Sequence, residues 1–263
     1  MRRDAGFSGK DFAAHLGWPA SKVSKIETGR QSPSTEDLTT WTRAADREGD
    51  LAELLDQVRA LESFYAEWSR QLRPGMRFRQ VEAARFEEQA RHLRVWEPNY
   101  VPGILQIAEY ARGRLEQGAA LHGARHDIDE ALLARLERQK LLLRPTKVFR
   151  FVIAEAVLHH GNAVGPQAMA GQIEHLIAVS TLANVHLGLI PIGVVWPVHA
   201  DHGFWCFDED FVLVETLSAE LRLTQSPEIA LYLKAFTALD AVAAHGTQAR
   251  DILRRAQERT LQS

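Results

Sequence analysis

Residues 8–41 read SGKDFAAHLGWPASKVSKIETGRQSPSTEDLTTW, two short helical patterns around a glycine-containing turn and then a third. Phe12, Ala13 and Leu16 place apolar side chains at i, i+1 and i+4, and Gly17 can take the left-handed conformation that ends a helix. Pro19 presets φ for a new first turn. In the second pattern Val23 and Ile26 face inward, while Ala20, Ser21, Lys22 and Lys25 fall on the opposite side and Gly29 closes the helix. The third starts at Ser34, with Asp37 as a capping-box variant, and carries Leu38, Trp41 and Ala45 at i, i+3 and i+7.

The chain around this segment has 263 residues, of which 46% are apolar and 25% charged. Those are the proportions of a soluble globular protein of one large domain or two unequal ones. Its longest apolar runs, such as 185–195, are interrupted by polar residues, Gly or Pro and fall short of the roughly 20 residues that span a bilayer. No transmembrane helix or membrane partner is expected. The basic start MRRDAGFSGK is not followed by an apolar segment, which argues against a secretory signal and for the cytoplasm. A single cysteine, Cys206, excludes an internal disulfide and a cysteine-based zinc site and reads as a core thiol. Net charge is −3, but residues 1–47 hold eight Lys/Arg against six Asp/Glu, net +2, and the remainder 23 against 28, net −5. The basic part is the N-terminus.

Phe12-Ala13-Ala14-His15-Leu16-Gly17, then Ser21-Lys22-Val23-Ser24-Lys25-Ile26-Glu27-Thr28-Gly29 and Pro33 resemble the helix-turn-helix domain of the Xre family, the Cro- and repressor-like regulators. The resemblance implies that the second helix enters the major groove of double-stranded DNA, with Ala20, Ser21, Lys22 and Lys25 at base edges. Lys25 would donate to guanine O6/N7 and Ser21 would donate or accept. Arg30, with the backbone amides near Thr28, would clamp phosphate. Gly9 stands where the family often has a phosphate-anchoring Gln, and only residues 1–6 precede the motif, so the first helix is expected to be truncated.

Leu51, Leu54, Leu55, Val58, Leu61, Tyr65, Trp68 and Leu72 hold helical spacing until Pro74-Gly75, which predicts a connecting helix within 48–75. Its stripe suits either the C-terminal domain or a second subunit, and a homodimer is expected because such proteins commonly read palindromes. The domain division is then 1–47, 48–75 and 76–263. Beyond Gly75, helices are expected at 81–92, 103–117, 129–142, 167–182, 227–245 and 248–259. Strands are expected at 148–153, 185–190, 203–207, 211–215 and 220–224. The last three are short and turn-separated, so the fold class is α+β with a small, mainly antiparallel sheet. Asp208-Glu209-Asp210 reads as a solvated hairpin turn. Pro102-Gly103 suits a type II turn, with Trp96, Tyr100, Ile104, Leu105 and Tyr110 clustering beside it as core.

Val95-Trp96-Glu97-Pro98, Val101-Pro102-Gly103-Ile104-Leu105-Gln106, Tyr110-Ala111-Arg112, Arg135 to Gln139 and Phe151-Val152-Ile153-Ala154-Glu155-Ala156 resemble a domain that accompanies the Xre motif in actinobacterial antitoxin-like transcriptional regulators. So do Ala183-Asn184-Val185, Gly203-Phe204, Val214-Glu215-Thr216-Leu217 and Pro227-Glu228, in family order. This implies a DNA-binding regulator whose repression is relieved by a small acidic partner protein.

An alternative places a metal-dependent enzyme or a small-molecule sensor at His199-Ala200-Asp201-His202, completed by His159-His160 and Glu155. The spacing matches no metal motif, and a chain with 11 His acquires such clusters by chance. Ser218 lacks a nucleophile-elbow context, and neither a P-loop nor a dinucleotide fingerprint is present. No catalytic residue, metal or cofactor is therefore expected, and the sequence does not choose between a ligand and a protein partner for the second domain.

Overall fold

Ser8 begins the first helix, its hydroxyl accepting the Asp11 amide at 3.2 Å, and α1 (Gly9–Leu16) and α2 (Ala20–Glu27) follow. Both end in the same way. At Gly17 (φ 67) the Trp18 amide donates to the Ala13 carbonyl at 2.9 Å. At Gly29 (φ 68) the Arg30 amide donates to the Lys25 carbonyl at 2.8 Å and the Gly29 amide to Ile26 at 3.1 Å. These are six-to-one and five-to-two closures around a left-handed residue that glycine adopts without steric cost. Helix α3 (Thr35–Ala44) carries the expected reciprocal box, the Asp37 amide donating to the Ser34 hydroxyl at 3.0 Å and the Ser34 amide to the Asp37 carboxylate at 3.1 Å. Phe12, Val23 and Trp41 are buried where the three helices meet, with the Phe12 and Trp41 rings edge to face at 4.9 Å.

Ahead of α1 stands one turn, the Ala5 amide donating to the Met1 carbonyl at 3.0 Å. Arg2 pins it to the end of α2, with Nε 2.6 Å and Nη2 3.2 Å from the two Glu27 oxygens.

The computed structural model describes residues 1–31, 33–123, 127–159, 165–200 and 202–262, and the chain forms two units, Met1–Tyr65 and Ala66–Ser263. Helix α4 (Leu51–Phe64) ends the first unit, and a strand, β1 (Tyr65–Glu67), and a short helix, α5 (Trp68–Gln71), follow. The helix expected to continue to Leu72 therefore stops eight residues earlier. From Trp68 the backbone turns to other partners: its amide donates to the Ser218 carbonyl at 3.0 Å and its indole to the Thr216 carbonyl at 2.7 Å. The Leu61 and Tyr65 side chains of that stripe lie outside the described residues.

In the second unit the helices are α6 (Met76–Gln89), α7 (Ala108–His122), α8 (Ile128–Arg138), α9 (Gly165–Val179), α10 (Ser226–Val242) and α11 (Gly246–Gln262). The strands are β2 (His92–Glu97), β3 (Val148–Ala154), β4 (Val185–Ile190), β5 (Phe204–Phe207), β6 (Phe211–Glu215), β7 (Ala219–Leu223) and β8 (Ala244–His245). They lie in the order β7-β6-β5-β2-β3-β4-β8.

The class is α+β, as expected, and β5-β6-β7 form the antiparallel meander, with Trp205 opposite Leu213 and Val214 opposite Leu221. The sheet is nevertheless larger than expected and mixed. Parallel β2-β3-β4 extend it, Val95 facing Phe151 and Phe151 facing Leu187. His92, expected at a helix end, opens β2, whose Arg94 and Glu97 interrupt the apolar run that a central strand normally shows. Glu97 is buried there and accepts a 3.0 Å bond from the Trp205 indole. Burial outweighs that bond and pushes its carboxyl well above the usual range.

Alternation along the strands fills two layers. Phe149, Phe151 and Ile153 pack in one core with Ile173 and Leu176 of α9 and Leu253 of α11. Val152, Cys206, Val212 and Val214 share the other with Ile229, Phe236 and Leu239 of α10. A smaller cluster joins α6, α7 and α8 through Met76, Leu115 and Leu132. Cys206 is the core thiol expected, its pKa pushed by burial up to about 12. Of the cluster expected near Pro102, Trp96, Ile104, Leu105 and Tyr110 are buried and Tyr100 is not. Pro102 (φ −50, ψ 137) leads into a 3-10 turn, Gly103–Leu105, and Gly103 has no positive φ, so the type II turn is absent.

Two side chains close α6 from a distance. The Asp127 carboxylate accepts the Met76 and Arg77 amides at 2.9 and 2.8 Å at its start. The Lys147 ammonium donates to the Glu87, Glu88 and Ala90 carbonyls at its end, at 2.9, 2.6 and 2.6 Å.

Candidate nucleic-acid interface

Val23 is buried and Ile26 partly buried on the inner side of α2, which turns the opposite side outward. Ala20, Ser21, Lys25 and Thr28 are exposed there, as is Arg30 just beyond the helix. Ser21 and Lys25 lie four residues apart and share a face. Ser24, exposed at i+4 from Ala20, belongs to the same surface. It was legible from that spacing alone, but small polar residues give no charge signal.

Lys22 differs from its neighbours. Its ammonium sits 2.5 Å from the Asp37 carboxylate and 4.0 Å from the centre of the Trp18 ring, so it ties α2 to α3 and covers an indole face. Burial pushes the Asp37 carboxyl up, but hydrogen bonds from Lys22 and from the Ser34 amide and hydroxyl outweigh it and leave the group below its usual value. Lys22 is thus a packing cation rather than a free reader.

The amides near Thr28 are also engaged. Those of Thr28, Gly29, Arg30 and Gln31 all donate to carbonyls of α2, and the Thr28 hydroxyl donates to the Ser24 carbonyl at 2.7 Å. No backbone clamp for phosphate remains there, and Arg30 would act through its guanidinium alone. The outward amides belong to the other end of α2, where Pro19 supplies no side-chain cap and the helix dipole favours an anion.

Of the first unit's cations, Arg2, Lys22 and Arg47 face Glu27, Asp37 and Asp50. Arg3, Lys10, Lys25, Arg30 and Arg43 are exposed, with no ion pair among the described residues. Lys25 and Arg30 are the two of these that lie on or next to α2.

In the second unit, His202 Nε2 lies 3.0 Å from the Tyr232 hydroxyl, and His159 Nε2 lies 3.6 Å from Glu155. His199 is exposed. Asp201 and His160 lie outside the described residues. Among the described residues, no three His, Cys, Asp or Glu are grouped to hold a metal ion, and no helix is long and apolar enough to cross a membrane.

Residues 1–55 match a helix-turn-helix domain family, and residues 80–255 match a domain of unknown function, DUF5753. No curated protein matches the chain. The solved structure of TrmBL2, an archaeal chromatin protein described as showing a novel mode of DNA binding, is 10% identical over 80% of this chain and 69% of its own. Its TM-score is 0.34. The chain therefore has an N-terminal helix-turn-helix domain and, because the second match spans about two thirds of its length, it belongs to the DUF5753 family.

Proposed function

We propose that the protein is a sequence-specific transcriptional regulator of the Xre type, antitoxin-like and cytoplasmic. It binds double-stranded DNA as a homodimer and is controlled through its second unit by a small acidic partner protein or a ligand. The observation that carries this reading is the outer face of α2: small exposed residues at its start, then Lys25 and Arg30 exposed, with no counter-charge among the described residues. Small residues let a helix approach base edges closely, and an unpaired cation loses no internal partner when it meets phosphate or guanine. For the partner, the segment from Ile192 to Trp196 supplies exposed apolar surface, with Val195 86% and Ile192 64% exposed.

The test is selection from a random duplex library followed by anisotropy titration at about 0.15 M salt. A specific regulator enriches one motif and binds it at least about a thousandfold more tightly than random duplex. Equal affinity for selected and random DNA would refute the reading.

A further inference from the structure

The second unit contains a cavity of about 530 Å³, within the usual range for small-molecule sites. Helices α6, α7 and α8 contribute one side, and Trp205 and Leu213 of the sheet contribute to the other. Four arginines line it: Arg79, Arg114, Arg135 and Arg138.

Their counter-charges are unequally shared. Arg138 makes a two-pronged pair with Glu87, Nε lying 2.8 Å from one oxygen and Nη2 bonding the other, and its Nη1 donates to Gln80 Oε1 at 2.7 Å. Arg79 bonds Glu220 and stands 3.7 Å from Glu215, so the two lining carboxylates, Glu87 and Glu215, already face cations. Among the described residues, the hydrogen-bond partners of Arg135 are neutral. Its Nε donates to Gln80 Oε1 at 3.0 Å and its Nη1 to Gln106 Oε1 at 2.7 Å, and no carboxylate lies within ion-pair distance among the described residues. Gln80 Oε1 is thus shared by two guanidinium groups of like charge. Burial, then the neighbouring Arg138, pulls the Arg135 pKa down to about 9, and the more distant Glu215 and Glu87 offset that only in part. Gln106 is itself fixed, donating through Nε2 to the Val101 carbonyl at 2.7 Å, so Arg135 is held in one orientation. Arg114 stacks 4.4 Å over the Tyr100 ring and likewise has no ion pair among the described residues. Trp68, Leu72, Leu115 and Met76 make the rest of the lining largely apolar.

We propose that this cavity binds a small organic anion, its carboxylate or phosphate head on Arg135 and Arg114 and its apolar or aromatic body among Trp68, Leu72 and Leu115. A planar guanidinium oriented by two amide oxygens suits an oxyanion, and a ring suits the apolar walls. This deepens the control part of the reading above. Because its readout is ligand binding without DNA, its failure leaves the DNA-binding claim standing.

The experiment is isothermal titration of the full chain with phenyl phosphate, phenylacetate, inorganic phosphate and the neutral 2-phenylethanol, each up to about 10 mM. Saturable heat is expected from at least one ring-bearing anion, whichever head it carries, and none from 2-phenylethanol. Arg135→Gln should weaken that binding at least about tenfold. Gly118→Leu guards against a folding defect in the first variant. It keeps every charge, its β-carbon would meet only the flexible Met76 Cε at 3.7 Å, and its side chain fills the cavity. It too should weaken binding at least about tenfold. Silence from both ring-bearing anions, equal binding of the neutral alcohol, inorganic phosphate binding as tightly as the ring-bearing anions, or unchanged affinity in Gly118→Leu would each overturn the proposal.

Discussion

Lys22 and Lys25 stand three residues apart in one short helix, yet their surroundings assign them different work. Lys25 is exposed and has no ion pair among the described residues, so Lys25→Ala is expected to cost about 1–3 kcal/mol on the cognate duplex and to relax preference at one base pair. Arg30→Ala is expected to weaken cognate and random duplexes alike and to lower the salt slope by about one. Anisotropy titrations across salt separate the two, and a Lys25→Ala variant that loses only nonspecific affinity would count against a reader helix. Lys22, by contrast, shows its effect through Asp37. That carboxyl titrates below its usual value, so it supplies stability that is complete above the ordinary carboxylate range and lost as pH falls through the folded value. Asp37→Asn should therefore lower stability by about 1 kcal/mol at neutral pH, with the gap to the parent closing below about pH 4. Melting temperatures over that range check it, and a constant gap would contradict the assignment. The sequence placed both lysines on the polar side of α2, which is correct, but a lysine's partner fifteen residues away in another helix has no local signature.

Glycine positions show the same contrast at the level of elements. The closures at Gly17 and Gly29 were legible because a helical stripe runs into a glycine, and a glycine so placed commonly means a left-handed stop. In the sequence Gly75 marks only a stop, whereas in the structure it has a second duty. It adopts φ 105, and a β-carbon there would lie 2.3 Å from the Asp127 oxygen that caps α6. Gly75→Ala thus strains the backbone and displaces the cap, and a loss of at least about 2 kcal/mol is expected. Gly29→Ala meets open space and should cost only about 1 kcal/mol. Thermal melts that rank the two the other way would remove the cap from the account. The meander strands were legible because each is short and bounded by turns. Strand β2 was not, since Arg94 and Glu97 break its pattern and its neighbours β3 and β5 come from distant sequence. The premature end of α4 escaped for a related reason: the bonds of Trp68 go to residues 216 and 218, which no stripe of apolar residues can foretell.

For the whole molecule, the charge balance matters more than any one contact. The segment from residue 48 onward carries net −5, so an acidic partner would be repelled at long range and must be held by apolar and hydrogen-bonding contacts. Co-purification with such a partner should persist from low to moderate salt, and a complex that dissolves over that interval contradicts the proposal. Dimerisation is expected from the partly buried Leu51, Leu54, Leu55 and Val58 of α4, and light scattering at micromolar concentration should give twice the 29.5 kDa chain mass. A monomeric mass would rule it out. Opposite charges that sequence reading left scattered are brought together over long distances, Arg79 with Glu220 and Arg138 with Glu87, 141 and 51 residues apart. Composition reports their sum and only the fold reports their pairing. The cavity remained hidden for that reason: its basic lining is dispersed along a chain segment that is acidic on balance.

Cys206 sits at the middle of the mixed sheet, Arg94 on one side and Val212 on the other, with no exposed surface and a thiol titrating near 12. The thiolate that a disulfide reagent consumes can therefore form only when strands β2, β5 and β6 part. The chain's single cysteine is a built-in clock. At saturating Ellman's reagent, labelling should proceed at the opening rate of the second unit and stoichiometrically in denaturant. The first unit holds no thiol and contributes nothing to that signal.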